Sequence, residues 1–356
     1  MGVAERRASP LLDEHRRFGA KLTEFGGWEM PLQYTGIIAE HNAVRTGAGV
    51  FDVSHLGKLR IADDGGALQR AVTQDVMGLE PGRATYALVL DDDAGCIDDV
   101  FVYRIGANEW LVVPNAGNVA AVAEALRVSG ADPVDEWDRW AILAVQGPAS
   151  LDLFDDVFDT ATTAMRLHSW TGVDVFGAPG FVARTGYTGE RGIELYAPAA
   201  EAPAAFRALL DAGAVPVGLG ARDTLRLEMG YALYGHEIDR ETNPLEAGLG
   251  WAVSWDAPFR GREALVEVKE RGPRKRLFGI RCIERGVPRP GYRVLVSGED
   301  AGEVVSGNYS PTLGTGIALA YAPAERVPRE GERVSIEGRG RRVQGDIVKP
   351  PFVRKK

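Results

Sequence analysis

The pattern of apolar and polar positions divides the chain into a mixed part and a β-rich part. Before about residue 270, segments of helical period alternate with runs of strict apolar–polar alternation, and after it only short alternating runs remain. This pattern predicts helices at 11–28, 35–48, 67–77, 117–129, 149–156, 201–212 and 222–229, the first of them running into a Gly26-Gly27-Trp28 turn. It predicts strands at 51–61, 85–90, 96–104, 109–114, 140–146, 172–177, 180–185 and 194–197, then at 277–283, 292–296, 302–306, 316–321, 333–336 and 341–348. In the second helix one face can carry Ile37, Ile38, His41 and Val44.

The change in pattern falls at a basic, turn-rich segment, Glu270–Arg276, which we interpret as a linker. The part before it predicts an α+β fold with antiparallel sheets. The short, evenly spaced strands after it predict a small all-β barrel or sandwich. A length of 356 residues agrees with two or three domains.

Composition and charge narrow the class of protein. Hydrophobic residues make up 45% and charged residues 26%, so a globular core of ordinary size is expected. A net charge of −9 argues against nucleic acid as a partner. Cys96 and Cys282 lie far apart, which argues against a disulfide framework and a zinc ribbon. Met1–Leu12 lacks an apolar signal region and no run of 18 apolar residues occurs, so we expect a cytoplasmic protein without a membrane segment.

Two segments begin like known cofactor motifs but do not complete them. Gly218–Asp223 starts like a dinucleotide fingerprint and lacks its third glycine. His236–Arg240 starts like a zinc signature, but arginine stands where the second histidine ligand should be. We therefore predict no dinucleotide and no metal.

An acid pair, Asp98 and Asp99, interrupts a strand that is apolar on both sides. Alternation sends the two carboxylates to opposite faces, so one of them should point into protein, where a carboxylate is costly unless it is paired. The pair is either functional or placed at the solvated mouth of a hairpin.

Two further segments also leave two interpretations open. Arg184–Leu195 contains three closely spaced glycines, Tyr187 and Glu194, and it is either a ligand-binding loop or an ordinary glycine-rich hairpin. Gly220–Glu228 alternates charges, as a binding helix or a simple salt-bridged helix face would.

Nine segments, in this order, resemble the aminomethyltransferase (T-protein) family of the glycine cleavage system almost from end to end. They are Phe25–Leu32, Ala43–Thr46, Phe51–His55, Asp98–Asp99, Val145–Pro148, Thr185–Glu190, Gly218–Asp223, Asn243–Glu246 and Ser306–Gly314. The sequence departs from the common pattern at Leu56, where many members have methionine, and at Pro114 before Asn115. Neither departure removes a charge that the chemistry needs.

The resemblance implies a three-domain cloverleaf in which two α+β lobes and a C-terminal β-barrel surround a central folate channel. The expected boundaries are 1–53 with 140–250 for a discontinuous folate-binding lobe, 54–139 for the lobe with the catalytic aspartate, 251–276 for a linker and 277–356 for the barrel.

The resemblance also implies roles for individual residues. Asp99 matches the family's catalytic aspartate, and Glu194 and Arg222 match its folate-contacting glutamate and arginine. Aromatic or basic positions that match ligand-lining positions of the family, some of them loosely, are Tyr187, Tyr86, Tyr103, Tyr234 and Arg354.

The implied reaction moves a one-carbon unit from the aminomethyl-dihydrolipoyl arm of a carrier (H) protein to tetrahydrofolate and releases ammonia. The carrier should dock transiently, and we expect a monomer. Alternatives on the same fold are a folate-dependent demethylase of a small molecule, a non-catalytic folate-binding protein and a detached domain of a flavin oxidase. The second is disfavoured because Thr185–Glu190 contains no cysteine, and the third because no flavin fingerprint is present.

Overall fold

A computed structural model describes residues 6–354, which form helices and strands in a mixed order. The helices are α1 (Leu12–Arg17), α2 (Ile37–Thr46), α3 (Gly66–Ala71), α4 (Val119–Val128), α5 (Ser150–Phe158), α6 (Ala202–Asp211), α7 (Leu219–Glu228) and α8 (Arg262–Arg271). The strands up to residue 113 are β1 (Arg7–Ala8), β2 (Lys21–Phe25), β3 (Trp28–Gln33), β4 (Gly49–Asp52), β5 (Leu59–Ala62), β6 (Ala84–Leu90), β7 (Cys96–Gly106) and β8 (Glu109–Val113). The next are β9 (Val134–Asp135), β10 (Trp140–Gln146), β11 (Trp170–Val175), β12 (Ala178–Ala183), β13 (Gly192–Pro198) and β14 (Val215–Val217). The last are β15 (Lys275–Cys282), β16 (Arg293–Val296), β17 (Glu299–Ser310), β18 (Thr315–Pro323), β19 (Arg333–Gly338) and β20 (Arg341–Val348).

The chain divides into two compact units. The first takes in the residues up to 71 together with 75–87 and 99–222, and the second takes in 72–74, 88–98 and the residues from 223 onwards. The division falls inside β6, β7 and α7.

A six-stranded sheet carries the main core of the first unit. Its order is β11-β12-β13-β10-β4-β14, and all neighbours are antiparallel except β14 and β4. Every residue of β10 is buried, as its continuous apolar run predicts. Leu143 and Leu195 from the sheet pack in one cluster with Phe154 of α5 and Phe206 of α6. This packing fixes β13, the strand that carries Glu194.

A five-stranded sheet in the order β6-β7-β8-β5-β9 places β7 between β6 and β8. The pairing of β7 with β8 is antiparallel, with Phe101 opposite Val113. A central strand has neighbours on both edges, so a side chain of β7 can be reached by groups from β6 and from the end of β8.

The C-terminal strands close into a barrel in the order β15-β18-β17-β16-β19-β20, and β15 also pairs with β20. Its interior is filled by apolar side chains such as Ile280, Val304 and Ile336. All six predicted strands are present here within a few residues of their expected ends. The prediction of an α+β fold with antiparallel sheets and a C-terminal β-barrel is thus confirmed.

The helix predicted at 11–28 is wrong beyond its first turns. The helix ends at Arg17, and the segment Lys21–Phe25 is strand β2, which pairs antiparallel with β3. Gly26 and Gly27 both have positive φ, 58° and 86°, which suits a two-residue hairpin turn between right-twisted strands. Pairing with β3 therefore outweighs the helical period of this segment.

The single strand predicted at 51–61 is also wrong, because the segment belongs to two sheets. β4 ends at Asp52 and β5 begins at Leu59, and they lie in the six-stranded and five-stranded sheets respectively. The Asp52 carboxylate accepts a hydrogen bond from the Ser54 backbone N–H at 2.8 Å, which turns the chain out of the strand. This turn creates the loop that carries His55.

Other differences are smaller. The helix predicted at 67–77 stops at Ala71, since Val72 forms a bridge with Val89 instead. Ile38 is exposed on α2, and Glu40 takes a buried place with His41 and Val44. Helix α8 was not predicted, and it runs into the basic segment at 270–276. Among the helices of residues 6–354, none is long and apolar enough to cross a membrane.

Candidate functional site

Asp99 is held by hydrogen bonds from both neighbouring strands. Tyr86 of β6 donates its hydroxyl to Oδ2 at 3.1 Å, and Asn115, just after β8, donates its amide nitrogen Nδ2 to Oδ1 at 2.8 Å. Asp99 is half-buried, whereas Asp98 is fully buried. The two acids therefore differ in environment, as the alternation of the strand predicts.

Burial raises the pKa of the Asp99 carboxyl above its usual value. The hydrogen bonds from Asn115 and Tyr86, and then the charge of Arg222, act in the opposite direction because they favour the ionised form. The net effect is a carboxylate with raised basicity that is still fixed in orientation by two donors.

Glu194 is a buried acid of the first unit. It is 8% exposed on β13, and its Oε2 accepts a hydrogen bond from the Thr185 hydroxyl at 2.6 Å. Burial raises the pKa of the Glu194 carboxyl, and Thr185 and Arg222 oppose that rise. Its environment resembles that of Asp99 in its burial and in the influence of Arg222, but Glu194 has one side-chain donor where Asp99 has two.

Thr185 also links Glu194 to a pair of buried tyrosines. Its side chain hydrogen-bonds the Tyr103 hydroxyl, which in turn accepts a hydrogen bond from the Tyr196 hydroxyl at 3.2 Å. Burial, followed by the charge of Glu194, raises the pKa of Tyr103, so it stays protonated. The pair keeps the Glu194 end of the site rigid and supplies neutral donors.

Arg222, near the start of α7, is the common cation of this region. Its guanidinium carbon lies 4.6 Å from the centre of the Tyr187 ring, a stacking distance that holds the fork in place. Its charge favours the ionised forms of both Asp99 and Glu194. One cation thus acts on two carboxylates, and acceptor groups of this kind suit a donor-rich or cationic ligand.

His55 belongs to the same electrostatic neighbourhood and was not predicted as a site residue. It is 2% exposed, and its Nδ1 has no hydrogen-bond partner among residues 6–354. Burial first, and then the charge of Arg222, lowers the pKa of the imidazole to about 3, so the ring is neutral. The ring packs edge-on against Phe25, with 5.3 Å between ring centres. The Ser54-His55 dipeptide in the family pattern was the available signal for His55. Thr185 and Asn115 also lie in or beside segments that the resemblance singled out, but they were not predicted as site residues.

The contacts join the sequence-predicted residues in three groups within the first unit. They are Asp99 with Tyr86, Glu194 with Tyr103 through Thr185, and Arg222 with Tyr187. Tyr234 and Arg354 belong to the second unit, where Tyr234 is half-buried and Arg354 is exposed. Their proposed contact with ligand remains a prediction. Residues 6–354 contain no group of three or more His, Cys, Asp or Glu side chains arranged to hold a metal.

The fold and the site define a class of protein: an α+β chain with a closed C-terminal barrel and an arginine whose charge acts on one half-buried and one buried carboxylate. Family models agree with this class over almost all of the chain. Residues 11–257 match the GCVT N-terminal domain, and residues 275–354 match the glycine cleavage T-protein C-terminal barrel domain. The chain belongs to the glycine cleavage T-protein family.

Similar proteins are named aminomethyltransferases. The chain is 48% identical to the one from Rubrobacter xylanophilus, over 98% of this chain and 95% of the relative. It is 42% identical to the one from Halothermothrix orenii, over 98% of this chain and all of the relative. A crystal structure of glycine cleavage system aminomethyltransferase T from Bartonella henselae has a TM-score of 0.91 at 31% identity and covers 98% of both chains. Membership in this family makes the chain an enzyme of the aminomethyltransferase class.

Proposed function

We propose that this enzyme takes the one-carbon unit from the aminomethyl-dihydrolipoyl arm of an H protein, transfers it to tetrahydrofolate and releases ammonia. In the overall step the carbon loses its bonds to the amine nitrogen and to sulfur. It gains bonds to two folate nitrogens, whose protons leave with the ammonia and the thiol. The products are 5,10-methylenetetrahydrofolate, ammonia and the dihydrolipoyl carrier.

The observation that carries this proposal is the half-buried Asp99 carboxylate, which is fixed by Tyr86 and Asn115 and has a raised pKa. As ammonia leaves, the sulfur-bound carbon gains positive character, and so does the folate nitrogen that attacks it. A fixed carboxylate stabilises that charge without reorganising. The raised pKa of Asp99 also suits it to accept a proton from the attacking nitrogen.

Glu194 and Arg222 suit the two kinds of edge that a pterin presents. The Glu194 carboxylate accepts hydrogen bonds, so it fits the amino group and ring N–H. The Arg222 guanidinium donates in a fork, so it fits a carbonyl or carboxylate oxygen. Tyr187, already stacked on Arg222, offers a flat ring to the same ligand. We assign Tyr86, Tyr103, Tyr234 and Arg354 to the ligand surroundings on the same proposal.

The wider parts of the proposal concern organisation and setting. We propose the discontinuous lobe 1–53 with 140–250, the lobe 54–139, the linker 251–276 and the barrel 277–356 as domains. We propose that the enzyme works in glycine catabolism in the cytoplasm, as a monomer without a metal, and that H protein docks transiently.

The experiment that tests this function supplies the pure enzyme with aminomethyl-loaded H protein and tetrahydrofolate and measures ammonia and methylenetetrahydrofolate. We expect the two products in equal amounts, with ammonia release depending on folate. Unloaded H protein is the control. Folate binding without ammonia release would contradict the proposal and favour a demethylase or a non-catalytic folate-binding protein.

Arg222→Met is expected to weaken tetrahydrofolate binding by about 10- to 100-fold, the usual cost of losing a charged hydrogen bond. Removing the cation should also raise the pKa of His55, because Arg222 disfavours the imidazolium. Equilibrium folate binding measures the first effect and histidine NMR the second.

Arg166→Met is the matched control, since Arg166 is exposed and lies outside the site. Unchanged affinity together with an unchanged His55 titration would remove Arg222 from the site.

Tyr86→Phe is expected to move the acid limb of the rate profile to higher pH. The Tyr86 hydroxyl donates to Asp99 and stabilises the ionised carboxylate, so its loss raises the pKa of Asp99 further. If the ionised form is required, activity is then lost at a higher pH than in the unmodified enzyme. Measuring kcat/KM against pH, with Tyr292→Phe as the control from the barrel, checks this. An unmoved or lowered limb would show that ionisation of Asp99 does not limit the rate.

A further inference from the structure

The second unit contains a basic cleft, which we define by the four cations Arg240, Arg271, Arg274 and Lys275. They line a cavity of about 530 Å³, a size typical of small-molecule sites. Two carboxylates, Asp93 and Glu241, also line it, so cations outnumber acids at its wall.

The cleft gives a structural account of the basic segment at 270–276, which the proposed transferase chemistry does not use. Helix α8 ends at Arg271, Gly272 follows with a φ of 86°, and strand β15 begins at Lys275. A left-handed glycine after a helix lets the chain turn at once. The turn places Arg271, Arg274 and Lys275, which are close together in the sequence, at the wall of one cavity.

Two of these cations are anchored. The Nε atom of Arg274 lies 3.2 Å from Oε1 of buried Glu246, and its Nη2 donates to the Glu241 carbonyl at 2.9 Å. The Lys275 ammonium donates to the Thr242 hydroxyl at 2.8 Å and lies 4.5 Å from the centre of the Tyr321 ring. Arg274 is therefore held at the wall with its charge paired to Glu246, and Lys275 is held there by neutral groups.

The other two cations form no ion pair within the described residues. Neither Arg240 nor Arg271 forms an ion pair or a side-chain hydrogen bond with any residue from 6 to 354. Both are exposed guanidinium groups at the cavity, with all of their side-chain donors available. Two guanidinium groups with unused donors, next to two cations that are held in place, form a site suited to an anion with several oxygens.

We propose that the basic cleft binds a small phosphate-bearing anion. Guanidinium forks match the tetrahedral oxygens of phosphate in paired contacts, and the lysine adds a point charge. Asp93 and Glu241 disfavour ligands that are anionic throughout their length, and they can accept hydrogen bonds from hydroxyl groups on the same molecule. The site uses none of the residues assigned to the transfer reaction.

The test titrates the full-length protein with inorganic pyrophosphate by calorimetry at low and moderate salt. We expect a dissociation constant below about 1 mM that weakens as salt rises. Arg240→Ala and Arg271→Ala should each weaken binding by about tenfold, the effect of roughly 1.4 kcal/mol. Arg285→Ala, another exposed arginine, should leave it unchanged. Melting temperatures of the variants verify folding.

Two more arms identify the source of the anion. ADP binding that competes with pyrophosphate would support a nucleotide, whereas pyrophosphate binding without ADP binding would support a free phosphate compound. Equal binding of citrate would overturn the preference for phosphate. Absent pyrophosphate binding, or binding that both alanine variants retain in full, would overturn the site. Binding of poly-glutamate alone would make the cleft a docking surface for an acidic protein, which also contradicts the proposal.

Discussion

Asp99→Asn is expected to lower the rate of ammonia release by about 10²- to 10³-fold while tetrahydrofolate binding changes little. Asparagine keeps the shape of the side chain and can still meet Tyr86 and Asn115, but it carries no charge. The loss then falls on the transition state, where positive charge develops, and a single preorganised electrostatic group typically contributes this much. Single-turnover ammonia release and equilibrium folate binding separate the two effects.

The matched control is Asp132→Asn, an exposed acid of the same unit without side-chain contacts in the described chain. It should turn over at the unmodified rate. If Asp99→Asn kept more than about a tenth of the activity, the charge of Asp99 would not be the main electrostatic contribution. If folate binding collapsed along with turnover, Asp99 would act mainly in binding the ground state.

Sequence patterns predicted the strands of the barrel well because local signals there agree with tertiary pairing. The six C-terminal strands alternate apolar and polar residues, and Gly or Pro separates them, so the period and the turns indicate the same structure. Where tertiary contacts overrode the local pattern, the prediction failed. The segment at 21–25 became strand β2 because β3 pairs with it, and β4 ends at Asp52 because that carboxylate turns the chain.

The charged residues of the site could be predicted from the sequence, but their hydrogen-bond partners could not. An acid pair inside an apolar strand marks Asp98 and Asp99 as unusual, and alternation separates them. The order of strands in the sheet brings Tyr86 and Asn115 to Asp99. This order depends on pairing between distant segments, and no periodic pattern in the sequence indicates it. The environment of His55 could not be predicted for the same reason, since Phe25 and Arg222, which shape it, are distant in the sequence.

The charged helix at 220–228 contains two arginines in different environments. The charge of Arg222 acts on Asp99 and Glu194, and its role in binding a ligand stays a prediction. Arg226 forms ion pairs with Asp223 at 2.9 Å and with Glu237 at 3.0 Å, as a structural helix would. Two arginines of one helix should therefore respond to substitution in different assays, Arg222 in ligand binding and Arg226 in stability.

Arg226→Met is expected to lower the free energy of unfolding by about 3–5 kcal/mol, because it leaves a buried carboxylate without its cation. Arg226 is 2% exposed and Glu237 is fully buried. The guanidinium also donates to the Ser306 hydroxyl at 2.8 Å and the Tyr231 carbonyl at 3.2 Å, and both bonds would be lost. Urea unfolding followed by tryptophan fluorescence measures the change.

Two variants separate the buried charge from a general loss of packing. Arg333→Met breaks an exposed ion pair with Asp346 in the same unit, and it should cost at most about 1 kcal/mol. Adding Glu237→Leu to Arg226→Met removes the stranded carboxylate, so the double variant should regain much of the lost stability. A double variant less stable than Arg226→Met alone would show that packing and neutral hydrogen bonds, rather than the uncompensated charge, account for the loss. Recovery would instead mean that the ion pair contributes about as much net stability as an apolar pair at the same positions. Removing one charge alone would then be costly because it leaves the other charge buried and uncompensated.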